Sequence, residues 1–331
     1  MKLKTRQPDV VFAPVMQSAS MRRLDHVLRA VASKDVAVML VGESGTCKEV
    51  LARRVHEISL RNKGPFIPIN CPAIPDALFE SELFGHERGA FTGASERVKG
   101  KIEAAEGGTL FLDEVGEMPL GMQAKLLRFL ENRKFMRVGG STKLQADVRL
   151  VFATLRSLES EVRAGRFRSD LYYRIQGITI DVPPLRDRRA DIPPLLNQFL
   201  GQLSAKHSTR APRLMRSARA AFTHYDWPGN VRELRNVVET LCLLREGKQV
   251  RLRDLPEVML RSTPTRTEAV VPSILSVSLD QSLEHNIEKI VEAALALERG
   301  NRSRAAQRLG VSVRTVQRYL ARGALDLPLT D

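Results

Sequence analysis

The sequence predicts an α/β fold in which a parallel sheet covered by helices is followed by a smaller helical lid and a small all-α unit. Short apolar segments alternate with amphipathic helical segments up to about Pro184, as strand–helix–strand units do. These segments lack polar and apolar alternation, which is typical of parallel strands buried on both faces. The predicted strands are VAVMLV (36–41), FIPIN (66–70), TLFLD (109–113), VRLVFAT (148–154) and ITIDV (178–182).

The chain divides into four parts by its pattern. We expect the α/β unit to cover 1–185 and a helical lid to cover 186–260, since four prolines interrupt the pattern between them. Residues 261–278 are rich in Ser, Thr and Pro without helical periodicity, which predicts a linker. Residues 279–331 return to a helical pattern.

The composition is that of a soluble globular protein. The 331 residues are 43% apolar and 27% charged, and no apolar run reaches the length of a membrane span. The apolar stretch at the N-terminus is broken by Pro14, so no signal peptide is expected. Cys47, Cys71 and Cys242 show neither pairing nor metal-ligand spacing, which favours the cytoplasm. A net charge of +14 favours a polyanionic partner.

A phosphate-binding loop is predicted after the first strand. VAVMLVGESGTCKEVLARRVH supplies a buried strand, a glycine-containing turn, a lysine and a helix N-terminus, so backbone N–H groups would face the phosphates of ATP. Cys47 stands where glycine is usual, and Glu49 where Ser or Thr would contact Mg²⁺. The alternative is an incidental turn. The expected nucleotide contacts are Gly42, Glu43, Ser44, Gly45, Thr46, Cys47, Lys48 and Glu49.

Cys47 raises two expectations. If this position needs a positive φ, its Cβ costs roughly 1–2 kcal/mol, so we expect nucleotide binding to persist but to be weakened. Because the thiol follows a glycine turn beside Lys48 and a helix N-terminus, we predict a lowered thiol pKa. An inert buried thiol is the alternative.

Two carboxylates, Asp113 and Glu114, follow the third predicted strand. A phosphate-loop enzyme needs one carboxylate at that strand end to hold Mg²⁺ and a neighbour to polarise the attacking water. A helix cap is the alternative interpretation. Arg168 and Arg174 lie in a charged segment further on; either they are merely solvated, or they stabilise charge on a transferred phosphoryl group.

The segment GAFTGA, residues 89–94, has glycines on both sides of Phe91 and Thr92. Small and apolar residues of this kind make a poor helix or strand, and they favour a mobile tip that presents an aromatic ring to a partner. An ordinary turn with a buried phenylalanine is the alternative.

The C-terminal segment has the pattern of a helix-turn-helix. Leu283, Ile287, Ile290, Ala294 and Leu297 form an apolar stripe that would pack in the core or in a dimer. Ser303 and Ser312 are expected to cap two further helices separated by a turn at Gly310, with Val313, Val316 and Leu320 facing inward. The expected DNA contacts are Arg302, Arg304, Ser312, Arg314, Thr315, Gln317 and Arg318. A solvated basic hairpin is the alternative.

Together these segments resemble a known family. Residues from about Val10 to Leu260 resemble the AAA+ domain of bacterial enhancer-binding proteins that activate sigma-54 RNA polymerase, and the C-terminal segment resembles their Fis-type helix-turn-helix. The resemblance is carried by PFIPINCPAIPDALFESELFGHERGAFTGA, GGTLFLDEVGEMPLGMQAKLLRFLE, FRSDLYYRI, PPLRDRRADIPPL and WPGNVRELRNVVE, together with the phosphate loop. Only about ten to twenty residues precede the AAA+ domain, so the chain resembles the subgroup without an N-terminal regulatory domain.

The resemblance implies roles for individual residues. Asn70 would restrain Glu114 until the γ-phosphate is sensed, Thr154 would be a sensor and Arg232 would be the lid arginine that faces nucleotide. Arg168 and Arg174 would be fingers that reach the ATP of the next subunit, which implies a ring, usually a hexamer. Leu155 departs from the usual asparagine beside the sensor. The sigma-54 contact would be Gly89, Ala90, Phe91, Thr92, Gly93 and Ala94, beside a second loop at 133–145.

The resulting hypothesis is an ATP-hydrolysing activator that binds enhancer DNA and remodels sigma-54 RNA polymerase, with ATP and Mg²⁺ as cofactors and Asp113 as the metal ligand. A regulatory protein acting in trans is a further implied partner. The alternative is a DNA-binding regulator with a degenerate ATPase, acting by occupancy or within a mixed ring with a competent paralogue. Cys47 and Leu155 favour that alternative, whereas the GAFTGA segment argues against it.

Overall fold

The structure is a computed structural model that describes residues 14–262, 280, 282–298 and 301–323. The described residues fall into two compact units, one up to residue 262 and one from residue 280 onward, and each is treated separately below. Most of the predicted linker, from residue 263 to 278, lies outside the described residues. Among the helices of the described ranges, none combines the length and the hydrophobicity that a bilayer crossing requires.

The centre of the larger unit is a five-stranded parallel sheet, which confirms the predicted α/β fold. The strand order is β2-β3-β4-β1-β5, with every neighbouring pair parallel. Each strand falls within a predicted segment, and the three central strands are buried almost throughout, whereas the edge strands β2 and β5 are only partly buried. The strands are β1 (Val38–Val41), β2 (Phe66–Asn70), β3 (Thr109–Asp113), β4 (Arg149–Thr154) and β5 (Ile178–Asp181).

The strand order gathers several polar residues at one edge of the sheet. Asn70 and Asp113 are register partners at the carboxyl ends of β2 and β3. Thr154 ends β4 beside β1, and its carbonyl accepts a hydrogen bond of 3.2 Å from the N–H of Gly42. Because parallel strands end together, the loops after β1, β3 and β4 meet in one crevice, where open α/β sheets usually bind ligands.

Helices cover the sheet and form the lid. Those around the sheet are α1 (Ala19–Ala32), α2 (Lys48–Glu57), α3 (Asp76–Phe84), α4 (Lys101–Ala104), α5 (Leu120–Asn132), α6 (Leu158–Arg163) and α7 (Ser169–Ile175). Those of the lid are α8 (Ile192–Lys206), α9 (Arg216–His224), α10 (Asn230–Leu244) and α11 (Glu257–Ser262). Short 3₁₀ turns lie at Cys71–Ala73, Val115–Glu117, Leu185–Asp191 and Leu252–Asp254.

Three short two-stranded ladders complete this unit. They pair Gly85–His86 with Val98–Lys99, Lys134–Phe135 with Leu144–Gln145, and Arg213–Leu214 with Gln249–Val250. The first two project the GAFTGA segment and the second predicted loop from the sheet.

The lid has a hydrophobic core of its own around Trp227. This side chain is fully buried, its indole N–H donates to the carbonyl of Phe222 at 2.8 Å, and the ring of Tyr225 packs edge-on at 5.0 Å between centroids. Aromatic pairs of this geometry contribute about 0.5–1.5 kcal/mol beyond the area that they bury. The lid is therefore a packed body and not a set of loops.

The smaller unit contains three helices, α12 (Leu283–Leu297), α13 (Arg302–Leu309) and α14 (Val313–Gly323). Val291, Ala306 and Val316 form its buried core. Of the predicted apolar stripe, which was expected to pack in the core or in a dimer, Leu283 is 76% exposed and Ile290 is 37% exposed, so these two do not pack in the core of this unit. The helix turns Val291 inward instead, because a stripe spaced strictly by seven drifts around a 3.6-residue helix.

The ends of α13 correct one predicted cap and match one predicted turn. Asn301, not Ser303, caps the helix, since its side chain accepts from the N–H of Arg304 at 3.1 Å. Gly310 adopts a left-handed φ of 65°, as a turn glycine should. Ser312 accepts from the N–H of Thr315 at 3.1 Å, whereas Val313 is 37% exposed instead of facing inward.

Candidate functional site

The loop between β1 and α2 has the backbone path of a phosphate-binding loop. Gly45 has φ 78°, and a Cβ at this position would overlap the carbonyl oxygen of Gly229, so glycine is required twice over. Lys48 opens α2 directly after the loop. The amide N–H groups of Gly45 and Cys47 have no acceptor among the described residues. They can therefore donate to an anion at the helix N-terminus.

The carbonyl groups of the same loop are held from outside by the lid and by the segment before it. The Asn230 amide donates to the Ser44 carbonyl at 3.0 Å, and the N–H of Val231 donates to the Gly45 carbonyl at 3.0 Å. The buried Arg188 guanidinium donates to the carbonyl of Thr46 at 3.0 Å. We call these three donors the carbonyl clamp.

Glu43 belongs to the same contact between loop and lid. Its carboxylate accepts from Arg186 at 2.6 and 2.9 Å and from the Asn230 amide at 3.0 Å. The hydrogen bonds from Arg186, followed by that from Asn230, lower the pKa of Glu43 to about 2. Glu43 thus turns towards the lid and is not among the residues that line the cleft, unlike its neighbour Ser44.

Cys47 adopts the left-handed conformation that its position suggested, with φ 74° and ψ 38°. The Cβ strain of roughly 1–2 kcal/mol is therefore present. The side chain packs with Val15 against the lid core. Burial raises the pKa of the Cys47 thiol to about 11, so the prediction of a lowered pKa was wrong. The apolar contacts outweigh the nearby arginines and the helix N-terminus.

Lys48 and Glu114 meet beneath the loop. The Lys48 ammonium donates to the Gly42 carbonyl at 2.9 Å and lies 3.1 Å from Oε1 of Glu114. Oε2 of Glu114 accepts from the backbone N–H of Leu155 at 2.8 Å. The position after Thr154 therefore contacts Glu114 through its backbone, while the Leu155 side chain is exposed.

Asp113 has the properties of a ligand for a hard cation. Burial, followed by the adjacent charge of Glu114, raises the pKa of Asp113 above its usual range. Two neighbouring carboxylates of this kind repel each other, and a bound Mg²⁺ would relieve that repulsion. Among the described residues, no group of three or more acidic, histidine or cysteine side chains is placed to hold a metal ion by itself. This fits Mg²⁺, which commonly binds through one or two carboxylates together with substrate phosphates.

Asn70, which was expected to restrain Glu114, and Thr154, which was expected to be a sensor, lie at the same edge of the sheet. Asn70 is exposed, and among the described residues no hydrogen bond joins its side chain to Glu114. The Thr154 hydroxyl is buried and accepts from the N–H of Arg156 at 3.1 Å. The structure thus brings both residues close to Asp113 and Glu114 without a direct side-chain bond.

An open cleft of about 500 Å³ runs from the loop to the lid. Arg232 enters it and donates to the Ser44 hydroxyl at 2.7 Å. Sequence reasoning missed the other charged and polar groups that line it. These are Arg53, Lys206, Arg235, Asn236 and Glu239. Arg235, Asn236 and Glu239 lie three, four and seven residues after Arg232 on α10, so they share one face of the helix with it. This spacing is visible in the sequence and could have identified them.

Arg168 and Arg174 do not line this cleft in their own chain. Arg168 precedes α7, and its exposed guanidinium pairs with Asp170 at 2.7 Å. Arg174 is also exposed and donates to the Leu130 carbonyl at 3.4 Å. Both guanidinium groups are therefore open to contact from another molecule.

The GAFTGA segment forms a tight projecting turn. Gly89 (φ 79°) and Gly93 (φ 102°) take conformations that favour glycine, and the N–H of Gly89 donates to the Ala94 carbonyl at 2.8 Å. Phe91 is 40% exposed and lies edge-on to His86, with 5.0 Å between ring centroids. The structure therefore contradicts the alternative of an ordinary turn with a buried phenylalanine.

The second predicted loop lies beside this turn. A Cβ at Gly139 would meet the Cβ of Ala90 at 2.8 Å, so the two loops touch. Arg137 joins their bases, since it pairs with Glu87 and with Glu103, both at 2.7 Å. The two loops therefore form one structural element, which we call the double-loop finger.

In the smaller unit, the predicted DNA contacts lie on one exposed region. Arg302, Arg304, Ser312, Arg314, Gln317 and Arg318 are exposed, and Thr315 is partly so. Val316 turns inward between them. A helix with buried valine and long outward donors has the form of a recognition helix for the major groove.

Comparison with protein families matches three regions of the chain. Residues 15–181 match the Sigma-54 interaction domain, residues 186–271 match the AAA+ ATPase lid domain, and residues 287–322 match the Fis family of bacterial regulatory proteins.

Curated relatives match along nearly the whole chain. It is 44% identical to the transcriptional regulatory protein ZraR of Klebsiella oxytoca, over 96% of this chain and 70% of ZraR. It is 42% identical to the response regulator protein PilR of Pseudomonas aeruginosa, over 98% of this chain and 74% of PilR. It is 40% identical to the DNA-binding transcriptional regulator NtrC of Rhizobium meliloti, over 92% of this chain and 68% of NtrC.

Solved structures of NtrX from Brucella abortus have the same fold. The complex with ATP aligns at a TM-score of 0.69 with 33% identity, over 95% of this chain and 69% of NtrX. The complex with ADP aligns at a TM-score of 0.71 with 33% identity, over 94% of this chain and 70% of NtrX.

The half-buried Cys47 thiol should react slowly in the native protein. Because its pKa is raised to about 11, almost no thiolate is present near neutral pH. Iodoacetamide at about pH 8 should modify Cys47 far more slowly in the native chain than in urea, where the thiol returns to its ordinary pKa near 8.5. Peptide mass spectrometry measures both rates, with a cysteine-containing model peptide as the reference. Equal rates in the native and unfolded chain would contradict the buried position.

Proposed function

This chain belongs to the family of sigma-54-dependent transcriptional activators, which are AAA+ ATPases, and we propose that ATP hydrolysis in a ring of these chains remodels sigma-54 RNA polymerase for promoter opening. The main support for this proposal is that one domain contains a phosphate loop, an acidic strand end and the double-loop finger with its exposed Phe91. A nucleotide site alone would need no such finger.

ATP is bound by the loop from Gly42 to Glu49 and by Arg232 of the lid. Free backbone N–H groups and Lys48 neutralise the phosphates, while Arg232 of the lid closes the site through its hydrogen bond to the Ser44 hydroxyl of the loop. Asp113 would hold Mg²⁺, which supplies charge neutralisation on the phosphates when bound.

Glu114 is the group that accepts the proton from the attacking water. Its carboxylate is held by Lys48 and by the N–H of Leu155, so a ligand that draws Lys48 towards its phosphates releases one oxygen for the water. Asn70 and Thr154, at the ends of the neighbouring strands, are proposed to sense whether the γ-phosphate is present.

Catalysis is completed between subunits. Arg168 and Arg174 face away from the cleft of their own chain and carry a permanent charge, so they suit the ATP of the next subunit. This supports a ring, which we take to be a hexamer as in the family. The double-loop finger, with Phe91 and Thr92 at its tip, is proposed to contact sigma-54 through residues 89–94.

The C-terminal unit would recruit the ring to enhancer DNA. Arg314, Thr315, Gln317 and Arg318 are proposed to reach base edges, with Arg302 and Arg304 on phosphates and Ser312 at the helix cap. We propose that these activities take place in the cytoplasm, where the DNA and the polymerase are found. We also propose that the domain borders are those expected from the sequence and that a regulatory protein acts in trans.

Glu114→Gln should abolish ATP hydrolysis while ATP still binds. The amide cannot accept the proton from water, yet the loop, Lys48 and Arg232 remain. We expect phosphate release to fall by about 10²-fold or more, the scale of a lost general base. Phosphate release and ATP titration measure the two effects. In vitro transcription with sigma-54 polymerase should require the wild-type chain and hydrolysable ATP.

Glu57→Gln is the control, because this carboxylate is exposed at the end of α2 and does not line the cleft. It should retain most of the hydrolysis. Transcription by Glu114→Gln at the wild-type level, or no ATP-dependent transcription by the wild-type chain, would contradict the proposed function.

Arg318→Ala should weaken binding to a DNA site selected by the wild-type chain from a random library. Loss of one base-contacting arginine costs about 1–3 kcal/mol and relaxes specificity at that position. Fluorescence anisotropy at fixed salt measures the affinity. Arg308→Ala is the control, since Arg308 pairs with Glu298 inside the unit. An equal loss for both variants would show that general charge, not this surface, carries the binding.

A further inference from the structure

A fully buried glutamine lies between the acidic strand end and the proposed arginine finger. Gln123 is on α5 and has 0% exposure. The proposed function gives it no role, yet a buried amide is costly unless all its groups are bonded. Its contacts therefore indicate what it holds in place.

Each polar group of Gln123 is bonded to backbone. Its amide nitrogen donates to the Met118 carbonyl at 2.8 Å and to the Arg166 carbonyl at 3.1 Å. Its Oε1 accepts from the N–H of Arg168 at 2.8 Å. Because carbonyls only accept and a backbone N–H only donates, these partners also fix which end of the amide is oxygen.

The backbone groups that Gln123 joins lie in two different functional regions. Met118 is the C-cap residue of the 3₁₀ turn Val115–Glu117, and Glu114 is its N-cap residue, so one short turn joins Met118 to the acidic strand end. Arg168 begins α7 and carries a proposed finger for the next subunit. The single side chain of Gln123 therefore connects, through hydrogen bonds, the ATP site of a protomer to the Arg168 finger of the same protomer.

A second connection runs in parallel through charged side chains. Arg156, two residues after Thr154, pairs with Glu117 at 2.6 Å and with Glu161 at 3.4 Å. Glu161 in turn pairs with Arg166 at 2.6 Å. Glu161 is buried, but its partners Arg156 and Arg166 are partly open to solvent, which weakens these ion pairs relative to the bonds of the fully buried glutamine.

We propose that Gln123 is a positioning residue that fixes the backbone of the Arg168 finger relative to the acidic strand end of the same protomer. The finger offered to a neighbour then depends on the state of the protomer's own nucleotide site. This inference rests on the proposed function, because it takes Arg168 to act in trans.

The geometry explains why the backbone bond matters. The Arg168 guanidinium is exposed and pairs with Asp170 in the first turn of α7, which is also exposed, so no buried group among the described residues fixes the side chain itself. Its N–H bond to Gln123 is the contact that ties this residue to the core. A displacement of about 1 Å at a catalytic group can cost about 10²-fold in rate.

The test begins with Gln123→Met, which keeps the size of the side chain and removes all three bonds. We expect kcat to fall by about 10- to 100-fold with KM for ATP unchanged, because the variant's own loop still binds ATP. Gln123→Glu keeps an acceptor for the Arg168 N–H and should lose less. Gln249→Met, at an exposed glutamine in the lid, is the matched control and should retain wild-type rates.

A mixing experiment then shows at which site the loss occurs. Glu114→Gln protomers can supply a finger but not a base, and Arg168→Ala protomers can supply a nucleotide site but not the finger. Mixed rings should recover hydrolysis wherever the finger of a Glu114→Gln protomer reaches the nucleotide site of an Arg168→Ala protomer. Adding Gln123→Met to the Glu114→Gln protomer should remove that recovery, whereas adding it to the Arg168→Ala protomer should leave it intact.

Three outcomes would overturn the proposal. If Gln123→Met removes the recovered hydrolysis equally from either protomer, Gln123 is a general structural residue. If it removes the recovery only when it is added to the Arg168→Ala protomer, Gln123 acts on the acidic strand end and not on the finger. No recovery in the parent mixture would contradict the finger in trans, and thereby both the proposed function and this inference. Gln123→Leu, which also removes all three bonds, replaces Gln123→Met in the same mixture if that variant does not fold, and it distinguishes the first two outcomes.

Discussion

The nucleotide site depends on one constraint, which is that the carbonyl groups of the phosphate loop point away from the phosphates. A loop peptide places its N–H and its carbonyl on opposite sides, so N–H groups face an anion only if the carbonyls have donors elsewhere. Asn230, Val231 and Arg188 are those donors. The carbonyl clamp therefore makes the lid part of the phosphate site even where it does not touch nucleotide.

The same constraint explains how the loop contains a cysteine. The left-handed backbone at Cys47 is strained, and so is that of Glu114, Trp227 and Asn230, each with φ between 51° and 74°. Such residues persist when surrounding contacts fix them, and they cluster at functional sites. At Cys47 the contacts are apolar ones with the lid core, which partly bury the side chain and offset part of the strain. The replacement for glycine thus turns towards the lid.

Some of this could be predicted from sequence. Strands such as Thr109–Asp113 were predictable because a buried parallel strand must be apolar throughout, and Gly45 and Lys48 because phosphate binding demands them at fixed spacing. The direction of Glu43 was not predictable, since its partner Arg186 is far away in the chain. The cap at Asn301 was missed because both Asn and Ser are good caps, and only the backbone path chooses between them.

Removal of one clamp donor tests the central claim most directly. Asn230→Gly keeps the positive φ that Asn230 has but removes the amide that bonds Ser44 and Glu43. Titration of this variant with ADP by calorimetry should give a dissociation constant about 10-fold or more above that of the wild type, since each hydrogen bond contributes about 1 kcal/mol. The fluorescence of Trp227, the single tryptophan of the chain, should stay unchanged and show that the lid is folded. Wild-type affinity in a folded variant would contradict the clamp.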